Sequence, residues 1–124
     1  MEKVLLAKLI QSEQSTVELM NKELPVDYAE ALLKFITDAA PFINSFVDEN
    51  NKLIKEKYAA EKEGQWEFIP ELKEEYQSVT KTMLGKEIDL ELPHLSITVI
   101  KNYDERFTIK ASTLSHLKNF LLYE

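Results

Sequence analysis

The sequence contains no cysteine, only two glycines and a single arginine among its 124 residues. The absence of cysteine excludes disulfide bonds, thiolate metal sites and cysteine nucleophiles. Two separate glycines cannot build a glycine-rich loop that cradles phosphate groups. Most templates for catalysis and nucleotide binding are therefore excluded, and we expect no cofactor.

Positive charge is also scarce, with 15 basic residues against 22 acidic ones and a net charge of −7. A nucleic-acid partner is disfavoured because it would need a broad basic face. No uncharged apolar run approaches the roughly 18 to 20 residues that span a bilayer. The apolar stretch at residues 4–10 is too short for a signal peptide's core and cleavage site. We expect a soluble, non-secreted protein without a membrane partner.

Apolar residues make up 44% of the chain and charged residues 30%, which is typical of a globular domain. We expect one domain over residues 1–124, with a helical part at residues 1–85 and a small β-hairpin part with a closing helix at residues 86–124. The predicted class is α+β, mainly α: a hairpin or bundle of three helices, a small antiparallel sheet and a C-terminal helix.

The first two predicted helices differ in the width of their apolar faces. A narrow stripe that includes Leu6, Ile10 and Val17 predicts a helix over residues 3–23. A second helix is predicted after Pro25. Its apolar positions alternate in steps of three and four, as in a coiled coil. We call these nine positions the seam: Val26, Ala29, Leu33, Ile36, Ala40, Ile43, Val47, Asn50 and Ile54.

A second apolar set lies beside the seam: Leu32, Phe35, Ala39, Phe42, Phe46 and Leu53. The combined apolar arc is too wide for one neighbour, so two packing partners are required. Pro41 lies within this helix, where it removes a backbone donor and collides with the preceding turn. We therefore predict a kink or break around residues 38–41.

Charge, a glycine and lost periodicity coincide at residues 61–65, which predicts a loop between helices. Pro70 then opens a third helix that Gly85 ends. Beyond Gly85 the apolar period becomes two, which predicts strands and a β-hairpin over residues 96–110. Ser112 is the predicted N-cap of a last helix.

Two groups of residues could carry chemistry. Glu87, Asp89 and Glu91 share one face of a predicted strand and could bind a cation with His94, although such a row is usually the solvated side of a half-buried sheet. His116 follows Ser112 by four residues and could form a nucleophile and base pair with it. No orienting acid or oxyanion-hole motif accompanies this pair, so capping explains Ser112 better. We therefore assign no catalytic or metal-binding residue.

Six residues are candidates for partner binding: Phe42, Phe46, Asn50, Tyr58, Trp66 and Phe68. The polar Asn50 is either an exposed interruption of the seam or a buried amide that fixes helix register. Tyr58, Trp66 and Phe68 flank the loop and either close its tip or form a partner-binding knob. The solvent exposure of Trp66 would separate these two interpretations.

A long helix that ends in the charged residues 51–58, the loop at residues 61–65 and a helix leading into residues 87–90 follow one another in this chain. In this order the chain resembles a family of small proteins of unknown function encoded by bacteriophages and prophages of Gram-positive bacteria. The resemblance implies a phage context, with the protein in the host cytoplasm or associated with the virion. It supplies no activity and no site residues.

The leading hypothesis is a non-enzymatic phage-type protein that interacts or assembles through its amphipathic helical hairpin, by binding a protein partner or itself. No small-molecule substrate is identified. One alternative is an acidic, host-directed inhibitor that binds a basic host protein, because acidic fields steer encounter. A weaker alternative is a metal-dependent enzyme built on Glu87, Asp89, Glu91 and His94.

Overall fold

The computed structural model describes residues 1–124 and shows the α+β, mainly α fold that the sequence predicted. The helices are α1 (Leu6–Met20), α2 (Val26–Leu53), α3 (Lys73–Leu84), α4 (Ile97–Tyr103) and α5 (Ala111–Leu117). The strands are β1 (Glu2–Leu5), β2 (Ala59–Lys62), β3 (Gln65–Phe68), β4 (Glu87–Leu90), β5 (Leu95–Ser96) and β6 (Leu122–Tyr123). A π-helical turn, Ile54–Tyr58, follows α2, and a 3-10 turn, Pro70–Leu72, precedes α3.

The strands form three two-stranded sheets, β1–β4 and β2–β3 antiparallel and β5–β6 parallel. The N-terminal residues were expected to be helical, yet Glu2–Leu5 pair with β4. Val4 lies opposite Ile88, and both side chains are buried. This cross-strand pair places apolar area in the core, which outweighs the local helical pattern.

The β-hairpin predicted over residues 96–110 is wrong, because α4 occupies Ile97–Tyr103 and no strand follows until β6. The hydroxyl of Ser96 caps α4 by accepting a hydrogen bond from the Val99 amide at 3.3 Å. Ile100 is fully buried and Ile97 partly buried, a spacing of three that suits a helix. The alternation of apolar and polar residues that predicted a strand here covers too few residues to exclude a helix.

The closing helix is present as α5, but Lys110 rather than Ser112 occupies its N-cap, so that assignment is wrong. After Leu117 the chain turns through Asn119, whose φ of 62° lies in the left-handed region. Asparagine tolerates this conformation better than most residues. The turn directs Leu122 into β6, where it pairs with Leu95.

Helix α2 is continuous across Pro41, so of the predicted kink or break around residues 38–41 the break is wrong. Phe35 and Ala39 are buried before the proline, and Phe46 packs against the core after it. Packing on both sides therefore holds the helix together in spite of the missing backbone donor.

One buried core joins the N-terminal and C-terminal parts of the chain. Its fully buried members include Leu19 and Leu32 from the first part and Ile100, Leu117 and Leu121 from the second. Helix α3 contributes no buried residue. We call residues 54–84 the arm, because they pack on one another, on the second half of α2 and on α1, and none of them belongs to this core.

Candidate protein-interaction surface

The seam of α2 is only partly buried by the rest of the chain. The only buried residues of α2 are Leu32, Phe35 and Ala39, all from the second apolar set. In the seam, by contrast, Val26 is 71% exposed, Leu33 58% and Val47 45%. Other seam residues are partly buried, and Ile36 and Ile43 pack against the core, so the exposed apolar side chains occur at intervals along one face of α2 and do not form an unbroken strip.

Helix geometry explains which set is buried. Each residue turns the helix by about 100°, so Leu33 points well away from Leu32, and Ala40 well away from Ala39. When the second set faces the core, the seam faces sideways and outward. The core covers part of the second set, and α1 covers only the inner edge of the seam, at Ile36, Ala40 and Ile43.

The inner edge of the seam borders an apolar groove between α1 and α2. Val17 lines it from α1, and Ile36, Ala40 and Ile43 line it from α2. Glu13 is the single charged residue in its lining, and the groove encloses about 100 Å³. We call this feature the α1–α2 groove. Its composition suits an apolar protein segment better than a charged small molecule.

The tip of the arm is closed by three aromatic rings. Tyr58 is buried, and its ring centroid lies 6.5 Å from that of Phe68 and 5.3 Å from that of Tyr76. Phe68 and Tyr76 are in edge contact at 4.9 Å. Such aromatic pairs stabilise packing beyond the area they bury. Tyr58, one of the six candidate partner-binding residues, thus packs within its own chain, whereas Phe68 joins the cluster but remains 38% exposed.

Asn50, the polar residue of the seam, bonds to the arm. Its Oδ1 accepts a hydrogen bond from the Tyr76 hydroxyl at 2.7 Å. The sequence suggested either an exposed interruption of the seam or a buried amide that fixes helix register. The amide is instead half-buried and links α2 to α3 within one chain.

Trp66 lies beyond the aromatic cluster, near the turn formed by Glu63 and Gly64. Both turn residues have positive φ, of 52° and 79°, as tight hairpin turns require. The Trp66 side chain is 51% exposed, whereas Tyr58 is buried. Tyr58 therefore closes the tip of the arm, whereas Trp66 is accessible to a partner.

Phe42 and Phe46 lie where α2 approaches the end of α3. Phe46 is partly buried against the core, and Phe42 is 37% exposed. Both line a cleft of about 390 Å³ together with Met83 and Lys86. This cleft is on a different side of α2 from the exposed seam, so the candidate residues do not form one continuous patch.

Replacing Trp66 with alanine is expected to change the free energy of unfolding by less than about 1 kcal/mol, because half of the side chain already contacts water. As Trp66 is the only tryptophan, its fluorescence reports on the tip alone. We expect red-shifted emission and ready quenching by acrylamide in the wild-type protein. A blue-shifted, unquenched emission would contradict the exposed position.

The acidic row on β4 forms ion pairs with lysines. Asp89 lies 3.8 Å from Lys3 on β1, and Glu91 Oε2 lies 2.5 Å from Lys34 Nζ on α2. The hydrogen bond between Lys34 and Glu91, followed by their charge attraction, lowers the pKa of Glu91 and raises the pKa of Lys34. In the same way, the hydrogen bond from Lys57 lowers the pKa of Glu75.

His94 does not complete a metal site with this row. Its Nε2 lies 3.2 Å from Glu2 Oε2, and its ring lies 5.0 Å from that of Tyr123. Nowhere in residues 1–124 do three or more histidine, aspartate or glutamate side chains gather as potential metal ligands.

His116 contacts Ser15 of α1 and not Ser112. Ser15 Oγ lies 2.9 Å from His116 Nδ1, and the ammonium group of Lys8 donates to the His116 carbonyl at 2.8 Å. The serine is buried in the middle of α1. These bonds fasten α5 to α1, and the sequence could not reveal them because the partners are separated by 101 positions.

The fold and this surface define a mainly α, α+β protein with an unpartnered helix face. None of its helices has both the length and the apolar character needed to cross a membrane. Comparisons with protein-family models, with curated proteins and with solved structures found no match to this chain.

The exposed part of the seam was missing from the six candidate residues. Its signal was present in the sequence, because nine positions keep one periodicity while the second set accounts for core packing. The sequence alone does not show which of the two apolar sets of α2 the core buries.

Proposed function

We propose that this chain is a non-enzymatic, phage-type protein that acts by protein–protein interaction or assembly through α2. The observation that carries the proposal is the exposed seam, in which Val26, Leu33 and Val47 remain open to solvent along one helix face. Exposed apolar residues aligned along one helix face are suited to bind a complementary apolar segment of a partner protein.

The environment of the seam supports a helical protein segment as its ligand. An amphipathic helix binds by placing apolar residues at steps of three and four into a groove. The α1–α2 groove provides such a depression next to the seam, lined by Val17, Ile36 and Ile43. The phage context rests on the family resemblance and places the protein in the host cytoplasm or on the virion.

A capture experiment tests this function with a matched pair of variants. Tagged wild-type protein, Leu33→Glu and Ser45→Glu would be used as baits in cells that also produce an untagged copy of the chain. Each variant adds one carboxylate to an exposed position of α2, but Ser45 lies on the side away from the seam. We expect the wild type and Ser45→Glu to retain a protein that Leu33→Glu loses.

That protein is either the untagged copy or another chain, and quantitative mass spectrometry identifies it. Circular dichroism of the three baits checks that they are equally folded. The same retained proteins on all three baits would refute a function carried by the seam.

A further inference from the structure

We propose that the tip of the arm binds a basic protein segment, with an arginine side chain of the partner stacked on Trp66 and paired with Glu61. The β2–β3 sheet forms this tip and lies outside α2, so the inference stands apart from the proposed function of the seam. Trp66 is 51% exposed and Phe68 is 38% exposed, which leaves two large aromatic side chains of the sheet accessible to a partner. Aromatic side chains supply much of the binding energy of protein interfaces.

Three exposed side chains share one face of the β2–β3 sheet. Glu61 lies directly opposite Trp66 in the antiparallel register, and the Cβ atoms of such a pair are about 5 Å apart. Phe68 follows Trp66 by two residues and therefore lies on the same face. A carboxylate thus stands beside two aromatic rings, within the reach of one long basic side chain.

The chain itself shows what such a combination binds. At the base of the tip, the ammonium group of Lys57 lies 5.4 Å from the centre of the Tyr58 ring and 2.6 Å from Glu75 Oε1. A cation is held there between an aromatic ring and a glutamate, two groups that both attract positive charge. Trp66 and Glu61 repeat this pairing of ring and carboxylate further along the hairpin, where no cation of the chain lies over the ring.

The charges of the tip favour a basic partner. Residues 59–68 contain three glutamates and one lysine, a net charge of −2, and none of these glutamates forms an ion pair within the chain. Lys62 and Glu67 lie on the opposite face of the sheet and offset one another, which leaves Glu61 beside Trp66 and Glu63 in the turn. Unpaired carboxylates around an exposed ring attract positively charged segments and disfavour acidic ones.

Arginine fits this surface better than lysine does. Its guanidinium group is planar, stacks on an aromatic face and donates paired hydrogen bonds to a carboxylate. Tryptophan is the side chain whose ring attracts cations most strongly. The aliphatic stem of the arginine packs on Phe68, since long basic side chains cover apolar surface with their stems. The ring, the carboxylate and the apolar floor therefore match the parts of one arginine side chain.

The fluorescence of Trp66 tests the proposal directly, because it is the only tryptophan. The probe is a short peptide of Gly-Ser-Arg repeats, and its control is the same peptide with citrulline, which has the shape of arginine without its charge. We expect the arginine peptide to change the emission in a saturable way, with a dissociation constant of about 1 mM or below at low salt. Binding is expected to weaken at least about threefold when the ionic strength is raised to about 0.2 M. The citrulline peptide is expected to have no effect over the same concentrations.

Two matched variants locate the site. Glu61→Gln and Glu105→Gln remove the same charge from exposed positions, but Glu105 belongs to the loop between α4 and α5, whereas Glu61 lies opposite Trp66. We expect Glu61→Gln to weaken binding of the arginine peptide at least about threefold. Glu105→Gln is expected to leave it unchanged.

The absence of a saturable change with the arginine peptide would overturn the proposal. An equal response to the citrulline peptide would overturn the recognition of charge. Equal weakening by Glu61→Gln and Glu105→Gln would assign the attraction to the net charge of the protein and refute a site at Trp66. None of these results bears on the seam, because Leu33→Glu and Ser45→Glu, which test it, both leave the tip intact.

Discussion

Replacing Tyr58 with alanine is expected to destabilise the arm by about 3 kcal/mol or more, the typical cost of removing a buried aromatic ring. Tyr58 is only 1% exposed and contacts both Phe68 and Tyr76. It is the one buried side chain of the π-helical turn, and α3 contributes none. The variant therefore removes the centre of the only aromatic cluster that holds β2, β3 and α3 together.

Hydrogen exchange of Tyr58→Ala should show where the stability is lost. We expect amides of β2, β3 and α3 to exchange much faster, while those of α1 and α5 remain protected by the separate core. Equal loss of protection in α1 and α5 would contradict the division into arm and core.

Tyr58→Phe is the matched control for that variant. It keeps the ring and removes only the hydroxyl, which lies 3.3 Å from Glu75 Oε1. Glu75 also accepts a hydrogen bond from Lys57 at 2.6 Å, so the carboxylate keeps a partner. We expect a change in the free energy of unfolding below about 1 kcal/mol, measured by urea denaturation. A loss as large as that of Tyr58→Ala would assign the effect to the hydroxyl instead of the ring.

The helices were predictable from the sequence where their apolar pattern was long. The seam and the second apolar set together specified α2, and Pro70 and Gly85 marked the limits of the third helical segment. The small elements were not predictable in the same way. Residues 2–5 became strand β1 because β4, more than 80 positions later, pairs with them. Local periodicity contains no information about such a distant partner.

The candidate surface was half predictable for a related reason. The sequence showed that the apolar arc of α2 exceeded what one neighbour could cover, but both sets of residues had core-like composition. Leu32 and Phe35 pack against the rest of the chain, and this packing leaves Leu33 of the seam exposed to solvent. Which of the two apolar sets faces the core depends on the rotation of α2 about its own axis. Tertiary contacts set that rotation.

Helix α2 also determines how the proposed contact and the stability of the chain are related. Pro41 lies near the middle of α2, and its side chain is exposed. Because a bound partner, including a second copy of the chain, would stabilise the folded state by mass action, stability variants of α2 must be compared at more than one protein concentration. Leu33→Glu as a common background removes this coupling and reports on the helix alone.

Replacing Pro41 with alanine is expected to stabilise the protein by up to about 3 kcal/mol, the usual penalty of proline inside a helix. Helix α2 passes through this position without a break, and Pro41 is exposed, so alanine creates no cavity. Alanine would also restore the backbone bond from residue 41 to the carbonyl of Thr37. Urea denaturation should show a higher midpoint with an unchanged m-value.

Pro70→Ala is the control for this last variant. Pro70 opens the 3-10 turn before α3, where a proline leaves no intrahelical donor missing, so its replacement is expected to gain little or nothing. A lower stability of Pro41→Ala would mean that a bend at Pro41 is needed to bring both halves of α2 into contact with their neighbours. In that case the proline shapes the seam, and the same variant should also lose the protein that the wild type retains in the capture experiment.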